Sequence, residues 1–462
     1  MTYRSLLFST LLFVTTLVFA GIYPVHELKI TGNKRTKGFV IERELLVSLN
    51  ESYPETGDGN ITSLLLKSQD RVLNLNLFNT VNITYELLQG SEGKNYVVTI
   101  AVVEKWFVWP IPFVEFSDRN FNVWGNLNFN TERTNYGLYV FNYNMFGRNH
   151  TLKTKMKTGY NSKLGLEYRI PFISRKTQWG INTLIERASQ NEVWYQTRND
   201  SLQFFQNGNK NIIQTTKAHV ILSKRLNPFT QFFCGVNFQH GQLDTAVPTD
   251  DYFINNQRFQ RDYGINAELR YDQRNNIYFP TKGKYLSVQI ETSAWQNSGT
   301  VYNASITSRA QRFDKLSNKW YSALSVYGQY NTQKNAPYAN RKILGYDEIV
   351  RGYEHYVIDG TVGWKTNAAL RYNLMEKDIG LKFIPIENYQ VLPLNVFVEG
   401  YLENGFANFE SSDASNKLNA NALFSMGLGV NTIFYNDRIL RIEYSLNSLR
   451  EGGFFVHFKK AI

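Results

Sequence analysis

The sequence predicts a membrane-spanning antiparallel β-barrel of sixteen strands preceded by one small α+β domain, and three observations predict it. Aromatic residues make up 15% of the 462 residues, with Tyr 29 and Phe 32, while the mean hydropathy is only -0.36. That mixture suits strands with one greasy and one wet face and does not suit a bundle of membrane helices. From Phe107 onward, segments that alternate apolar and polar residues recur with no Pro/Gly/Ser-rich linker between them, which points to one large unit. After residue 20 no stretch of roughly eighteen apolar residues occurs, so a membrane can be crossed only by strands, and strands cross only when they close on themselves and satisfy their backbone groups.

The chain opens on an address. Arg4 supplies a positive start, Leu6 to Phe19 is an apolar run, and Val18-Phe19-Ala20 offers a cleavage-like end, so residues 1–20 are expected to be a secretory signal. The single Cys234 excludes an internal disulfide. In FFCGVNF it shares a face with Phe232, Val236 and Phe238 and reads as a small hydrophobe. The formal charge of +11 raises nucleic acid as a partner, but no Lys/Arg block or nucleic-acid motif supports it, and the cations read as lumenal, loop and interfacial residues.

Residues 23–106 carry a different pattern. Val25 to Ile30 reads as a strand and Thr36 as the N-cap of a helix whose apolar positions are Val40, Ile41, Leu45, Leu46 and Val47. Asn60 or Thr62 caps a second helix that buries Leu65, Val72, Leu73 and Leu77. Val81 to Leu88 and Asn95 to Glu104 then read as two half-buried strands joined by a hairpin loop over Gly90 to Lys94. This β, α, α, β, β order, with G-N-x-x-T after the first strand and L-F-N-T-V from Leu77 to Val81, resembles a POTRA domain.

Residues 107–462 are strand text. In Leu394 to Glu403, one face holds Leu394, Val396, Val398, Gly400 and Leu402, and the other Asn395, Phe397, Glu399, Tyr401 and Glu403, as a lipid-to-lumen wall demands. Similar segments begin at Ile111 and end at Phe454 to Lys459, and they total sixteen. The even count places both ends of the barrel on one side of the membrane.

Three stretches are more specific. They are Val350-Arg351-Gly352-Tyr353, inside a long connection over 334–360; Asp272, Arg274, Asn275, Phe279, Pro280 and Gly283 in YDQRNNIYFPTKGKY; and the closing Gly452-Gly453-Phe454-Phe455-Val456-His457-Phe458. With the POTRA-like segment before them, they make the chain similar to the BamA/TamA family of outer-membrane assembly and translocation proteins. The resemblance implies that the POTRA sits in the periplasm of a Gram-negative bacterium and that the VRGY loop folds into the lumen. It implies a lumenal acid on the thirteenth strand as partner of Arg351: Glu399, preferred by the aromatic-x-acid pattern, with Glu403, by acid-x-Gly, as the alternative. It also implies a weakly paired seam, here Ile111 to Phe116 against Phe454 to Phe458, with Phe113 and Val456 as the pair to crosslink across it, and with Gly452 and Gly453 just before the last strand expected to weaken its pairing.

By strand count, Asp272 to Gly283 falls on the periplasmic side, and Pro280 with Gly283 suits a tight turn. Three departures stand out. Ala369 occupies a place where relatives carry an acid, Lys459 to Ile462 extend beyond the last aromatic, and a single POTRA precedes the barrel. The partners implied are the outer-membrane bilayer, extended client polypeptides and accessory lipoproteins, and no cofactor. No GxSxG, HExxH, P-loop or CxxC occurs, and the six histidines are scattered without ligand spacing. No catalytic residue and no metal ligand is therefore assigned. The rival readings are a passive channel or structural barrel and, more remotely, an outer-membrane enzyme.

Overall fold

The computed structural model describes residues 21–90, 93–116, 134–174, 177–208, 211–249, 251–381 and 390–460. The expected signal at 1–20 lies outside them, as do Ala461 and Ile462 and residues 91 and 92 of the predicted hairpin loop.

The first unit is a four-stranded sheet with two helices. Its elements are β1 (Ile22–Thr31), α1 (Gly38–Glu42), β2 (Ser52–Pro54), α2 (Ile61–Asn74), β3 (Phe78–Gly90) and β4 (Gly93–Glu104). The sheet order is β2-β1-β4-β3, with β1 parallel to β4. Its core gathers Val25, Val40, Ile41, Leu65, Val72, Tyr96 and Ile100. Asn60 caps α2 by accepting from the Ser63 N–H at 2.8 Å, as its side-chain type requires.

Helix α1 differs from expectation. Its N-cap is Lys37, with no side-chain cap bond, and it ends at Glu42, so Leu45, Leu46 and Val47 lie beyond it. The reason is tertiary. Thr36 is engaged elsewhere: its N–H donates to Glu104 Oε1 at 2.6 Å, and its hydroxyl accepts from Asn144 Nδ2 at 2.9 Å on the barrel. Two residues past the helix, the buried Glu44 turns to Arg71 Nη2 at 2.6 Å and to Arg225 Nη2 on a barrel strand at 2.9 Å. The short β2, which pairs with β1, is a further element that the sequence reading did not contain. The hairpin is also tighter than Gly90 to Lys94, because Gly90 and Gly93 are themselves paired.

The second unit is a sixteen-stranded antiparallel sheet. In order it contains β5 (Val108–Phe116), β6 (Thr134–Met145), β7 (His150–Gly159), β8 (Ser162–Ile170), β9 (Trp179–Gln190), β12 (Ile213–Asn227), β13 (Thr230–Leu243) and β14 (Phe259–Asp272). The other half is β15 (Gly283–Gln296), β16 (Thr300–Lys315), β17 (Trp320–Asn331), β20 (Val362–Gly380), β21 (Val391–Asn408), β22 (Leu423–Phe434), β23 (Arg438–Asn447) and β24 (Gly452–Lys460). Two small hairpins lie outside this wall: β10 (Val193–Arg198) with β11 (Ser201–Phe205), and β18 (Lys342–Leu344) with β19 (Ile358–Asp359).

The predicted alternation is physical. On β21, Val398 and Leu402 are exposed on the outside, while Phe397, Glu399, Tyr401 and Glu403 are buried inside. Ile265, Val288, Val326 and Leu428 belong to the same exposed outer belt. Water would penalise so large an apolar surface, and a bilayer removes that penalty. Among the described residues no helix is long and apolar enough to cross a membrane.

The small unit covers one end of the barrel. Lys37 N–H donates to Gly147 O at 2.9 Å, Asn74 Nδ2 to Arg274 O at 3.1 Å, and Lys105 Nζ to Asp437 Oδ2 at 2.9 Å. These partners lie in the connections β6–β7, β14–β15 and β22–β23, so those connections share the end that the small unit caps.

Candidate functional site

The long connection between β17 and β20 folds into the barrel and places Arg351 at the centre of a buried ion cluster. Gly352, at φ +84, takes a conformation that an L side chain rarely adopts, and there the chain reverses. A second glycine permits the approach: a Cβ at Gly405 would stand 2.6 Å from the Val350 side chain. Val350 and Tyr353 are buried with Ile343, Leu344 and Leu423. The Tyr353 hydroxyl lies 2.7 Å from Ser448 Oγ and 3.2 Å from Phe424 O, against the last strands.

Arg351 is held by several acids at once. Its Nε donates to Glu403 Oε1 at 2.7 Å and its own N–H to Glu403 Oε2 at 2.8 Å, while Nη1 reaches Glu399 Oε1 at 2.8 Å and Glu443 Oε2 at 3.3 Å. The guanidinium also sits 3.4 Å over the Tyr401 ring. Burial by itself would lower the Arg351 pKa, but Glu403, then Glu399 and Glu443, outweigh it and raise it above its ordinary value. The choice between Glu399 and Glu403 is therefore superseded: Arg351 engages both, and Glu443 on β23 as a third. Parity along β21 already put Glu399 and Glu403 on one face; nothing local in the sequence pointed to Glu443, two strands away.

A second arginine extends the cluster. Arg371 Nε donates to Glu399 Oε2 at 2.5 Å, its Nη1 to Pro280 O at 2.8 Å, and its guanidinium lies 4.4 Å over Phe279. The segment 273–282 is thus not a tight turn. It folds inward, with Phe279 buried against Phe397, Ile433 and Ile439. Asn275 organises it by accepting from the N–H groups of Thr281 and Lys282 at 3.0 Å each. Arg274 bonds Asp272 through two nitrogens at 2.8 and 2.6 Å, and Gly283 takes φ +110 where β15 begins.

Arg351, Glu399, Arg371 and Pro280 O consequently connect the VRGY loop to the opposite end of the barrel, where Asn74 of α2 meets the same segment. Ala369, in the position expected to be acidic, packs instead with Phe313, Ala323 and Tyr401. Arg371→Met should leave Pro280 O without its donor and make 273–282 newly sensitive to limited proteolysis, at a cost of about 3 to 5 kcal/mol for a broken buried pair. An unchanged cleavage pattern would mean that Phe279 packing alone holds the segment.

The seam residues are placed differently from expectation in two respects. Gly452 and Gly453 lie within β24, paired with Leu446 and Ser445, so they do not precede the strand. Phe113 stacks on Tyr139 at 4.1 Å and is part-buried, whereas Val114, Val456 and Phe458 are exposed on the outer face. Side chains alternate along a strand, so Phe113 and Val456 point to opposite sides of the wall. Among the described residues, no backbone ladder joins β5 to β24; the run of paired strands ends at each of them.

The model of the Omp85 superfamily domain matches residues 144–433. The outer membrane protein assembly factor BamA of Neorickettsia risticii is 27% identical over 181 residues, which cover 38% of this chain and 20% of that protein. The match thus spans about a fifth of that relative's length. Among solved structures, BamA from Haemophilus ducreyi lacking POTRA domains 1–3 superposes with a TM-score of 0.51 at 12% identity, covering 95% of this chain and 84% of that one. CdiB from Acinetobacter baumannii gives 0.50 at 13% identity, covering 95% and 73%. At these identities the likeness is one of fold.

Proposed function

Because this chain belongs to the Omp85 superfamily of outer-membrane assembly and secretion barrels, we propose that it inserts or translocates other polypeptides at the outer membrane, with residues 23–106 as a periplasmic POTRA that receives the client. The observation that carries the proposal is the pair of wall strands β5 and β24, which among the described residues carry a ladder on one side only. An edge strand exposes a row of unpaired N–H and C=O groups, and an extended client segment pairs with such a row by main-chain bonds indifferent to its sequence.

The small sheet offers a second such edge in β3, which among the described residues pairs only with β4. The Ile83 N–H is capped by Gln69 Oε1 at 3.0 Å, so the open part of this edge runs from Tyr85 to Leu88. A client would bind there first and then pass to the wall edges. Accessory lipoproteins would join the small unit on its remaining surface. A passive channel is disfavoured because two connections fold into the lumen from its two ends, Arg351 with the one and Phe279 with the other, both held on the side of β20 to β23.

Depletion of the protein in its host should reduce a defined set of outer-membrane or surface proteins, inventoried by mass spectrometry. A photo-crosslinker at the exposed Leu88 should capture members of that same set. An intact inventory accompanied by lower uptake of small solutes would instead mark a passive channel.

A further inference from the structure

One carboxyl next to the VRGY motif is not used by the ion cluster. Glu354 is only 4% exposed, and among the described residues neither of its oxygens finds a well-formed hydrogen-bond partner. Its oxygen, a Glu443 oxygen and a His457 ring nitrogen all lie within 4.8 Å of one another. Glu443 Oε1 and His457 Nε2 are 3.4 Å apart, and among the described residues neither has another well-formed partner. The other Glu443 oxygen faces Arg351, so the two functions of Glu443 are divided between its two oxygens.

Charge counting points the same way. Glu354, Glu399, Glu403 and Glu443 stand against the guanidiniums of Arg351, Arg371 and Arg441. Counted with His457 neutral, the group is one cation short. Burial pushes the Glu354 carboxyl up to about 7, with Glu443 adding to the shift and His457 and the backbone N–H groups of Glu354 and Gly352 opposing it. A proton can supply the missing charge, but it does not account for an imidazole nitrogen and a second carboxylate oxygen converging on the same point.

We propose that Glu354, Glu443 and His457 bind one divalent transition-metal ion of the zinc class. Two carboxylate oxygens and one imidazole nitrogen are a ligand set that zinc accepts, with a fourth position left for water. The imidazole and the small number of oxygens disfavour calcium and magnesium, which take six or more hard oxygen ligands or keep their waters. The three ligands come from the inward loop, from β23 and from β24. The ion would therefore tie the tip of the VRGY loop to the last strand of the wall, one of the two strands that among the described residues carry a ladder on one side only. Only a contraction of the 4.8 Å spacing is needed, and Glu354 is the one ligand whose backbone is not held in the wall's ladder.

The test uses the full chain in detergent, stripped with chelator, incubated with Zn²⁺ alone, desalted and assayed for bound metal. One equivalent should remain. Glu354→Gln and His457→Gln should each weaken retention by more than about a hundredfold, beyond the losses typical of residues that only support a ligand. His355→Gln, at an exposed neighbour, should not. Heat-modifiable migration checks that each variant is a folded barrel. In the unaltered protein, Zn²⁺ should also slow diethyl pyrocarbonate modification of His457, followed by peptide mass, so the result does not depend on any variant folding. No retained equivalent, retention unchanged in both variants, or unprotected His457 would each overturn the assignment. Metal is counted without an assembly assay, so the outcome is independent of the client-handling proposal.

Discussion

Arg351→Ala should release the VRGY loop while the barrel still assembles. The substitution leaves Glu399, Glu403 and Glu443 facing one another in a buried space. Breaking a desolvated pair costs about 3 to 5 kcal/mol because the stranded charge has no water to turn to. Glu399 keeps Arg371 as a second partner. Glu403 keeps only the amide of Asn367, at 2.8 Å, and the N–H of residue 351. The coupling of Arg351 with Glu403 should therefore exceed its coupling with Glu399, and both should fall in the range of about 0.5 to 3 kcal/mol expected for residues in contact. Arg351→Lys should restore part of the loss, since an ammonium keeps the charge but cannot reach Glu403 and Glu399 with one planar fork. Hydrogen exchange over 343–360 and limited proteolysis read the release. Heat-modifiable migration reads the barrel, whose backbone ladders the substitution leaves untouched. Strict additivity with both acids would show that the arginine contributes no specific anchoring.

Locking the seam should abolish activity almost completely. The pair to join is not Phe113 with Val456, which point to opposite faces, but outward residues on both strands. Val114 is 69% exposed and Val456 67% exposed. Cysteines at Pro112 or Val114 on β5, combined with Phe454, Val456 or Phe458 on β24, sample the possible registers once Cys234 has been replaced. The combination that crosslinks reports the register of the closed seam. If clients pair with these edges, the verified crosslinked form should fail to insert or export them and should recover on reduction. Full activity in the oxidised, verified form would place the route through the lumen, past the segments that Arg351 and Arg371 hold there.

What could be read from the residues alone divides along the reach of each interaction. Period-two alternation is imposed by the geometry of a single strand, so all sixteen wall strands were visible one at a time, and on β21 the lumenal side of Glu399 and Glu403 followed from parity. The Asn60 cap was legible because its hydrogen bond closes within three residues. Thr36 has the same capping chemistry but does not cap, because Glu104 and Asn144 lie far off in sequence. The inward fold of 273–282 escaped the reading for a similar cause. Pro280 and Gly283 are compatible with a tight turn, and only the Arg371 donor and the apolar site around Phe397 draw the segment inward.

By itself the sequence determined the class of wall, its strand count, the lumenal face of a strand such as β21, and an arginine beside a glycine at the tip of a long connection. These follow from local backbone geometry and from the repeated separation of apolar from polar side chains. Only the tertiary structure decided which charges meet: that Arg351 is shared among three acids, that Arg371 joins that cluster to Pro280 O, and that Glu354 converges with Glu443 and His457. Such meetings depend on the register among the neighbouring strands β20 to β24 and on how far each loop enters the lumen. A charge's need for a partner is written in its residue type, but the partner is chosen by the closed space in which water no longer competes.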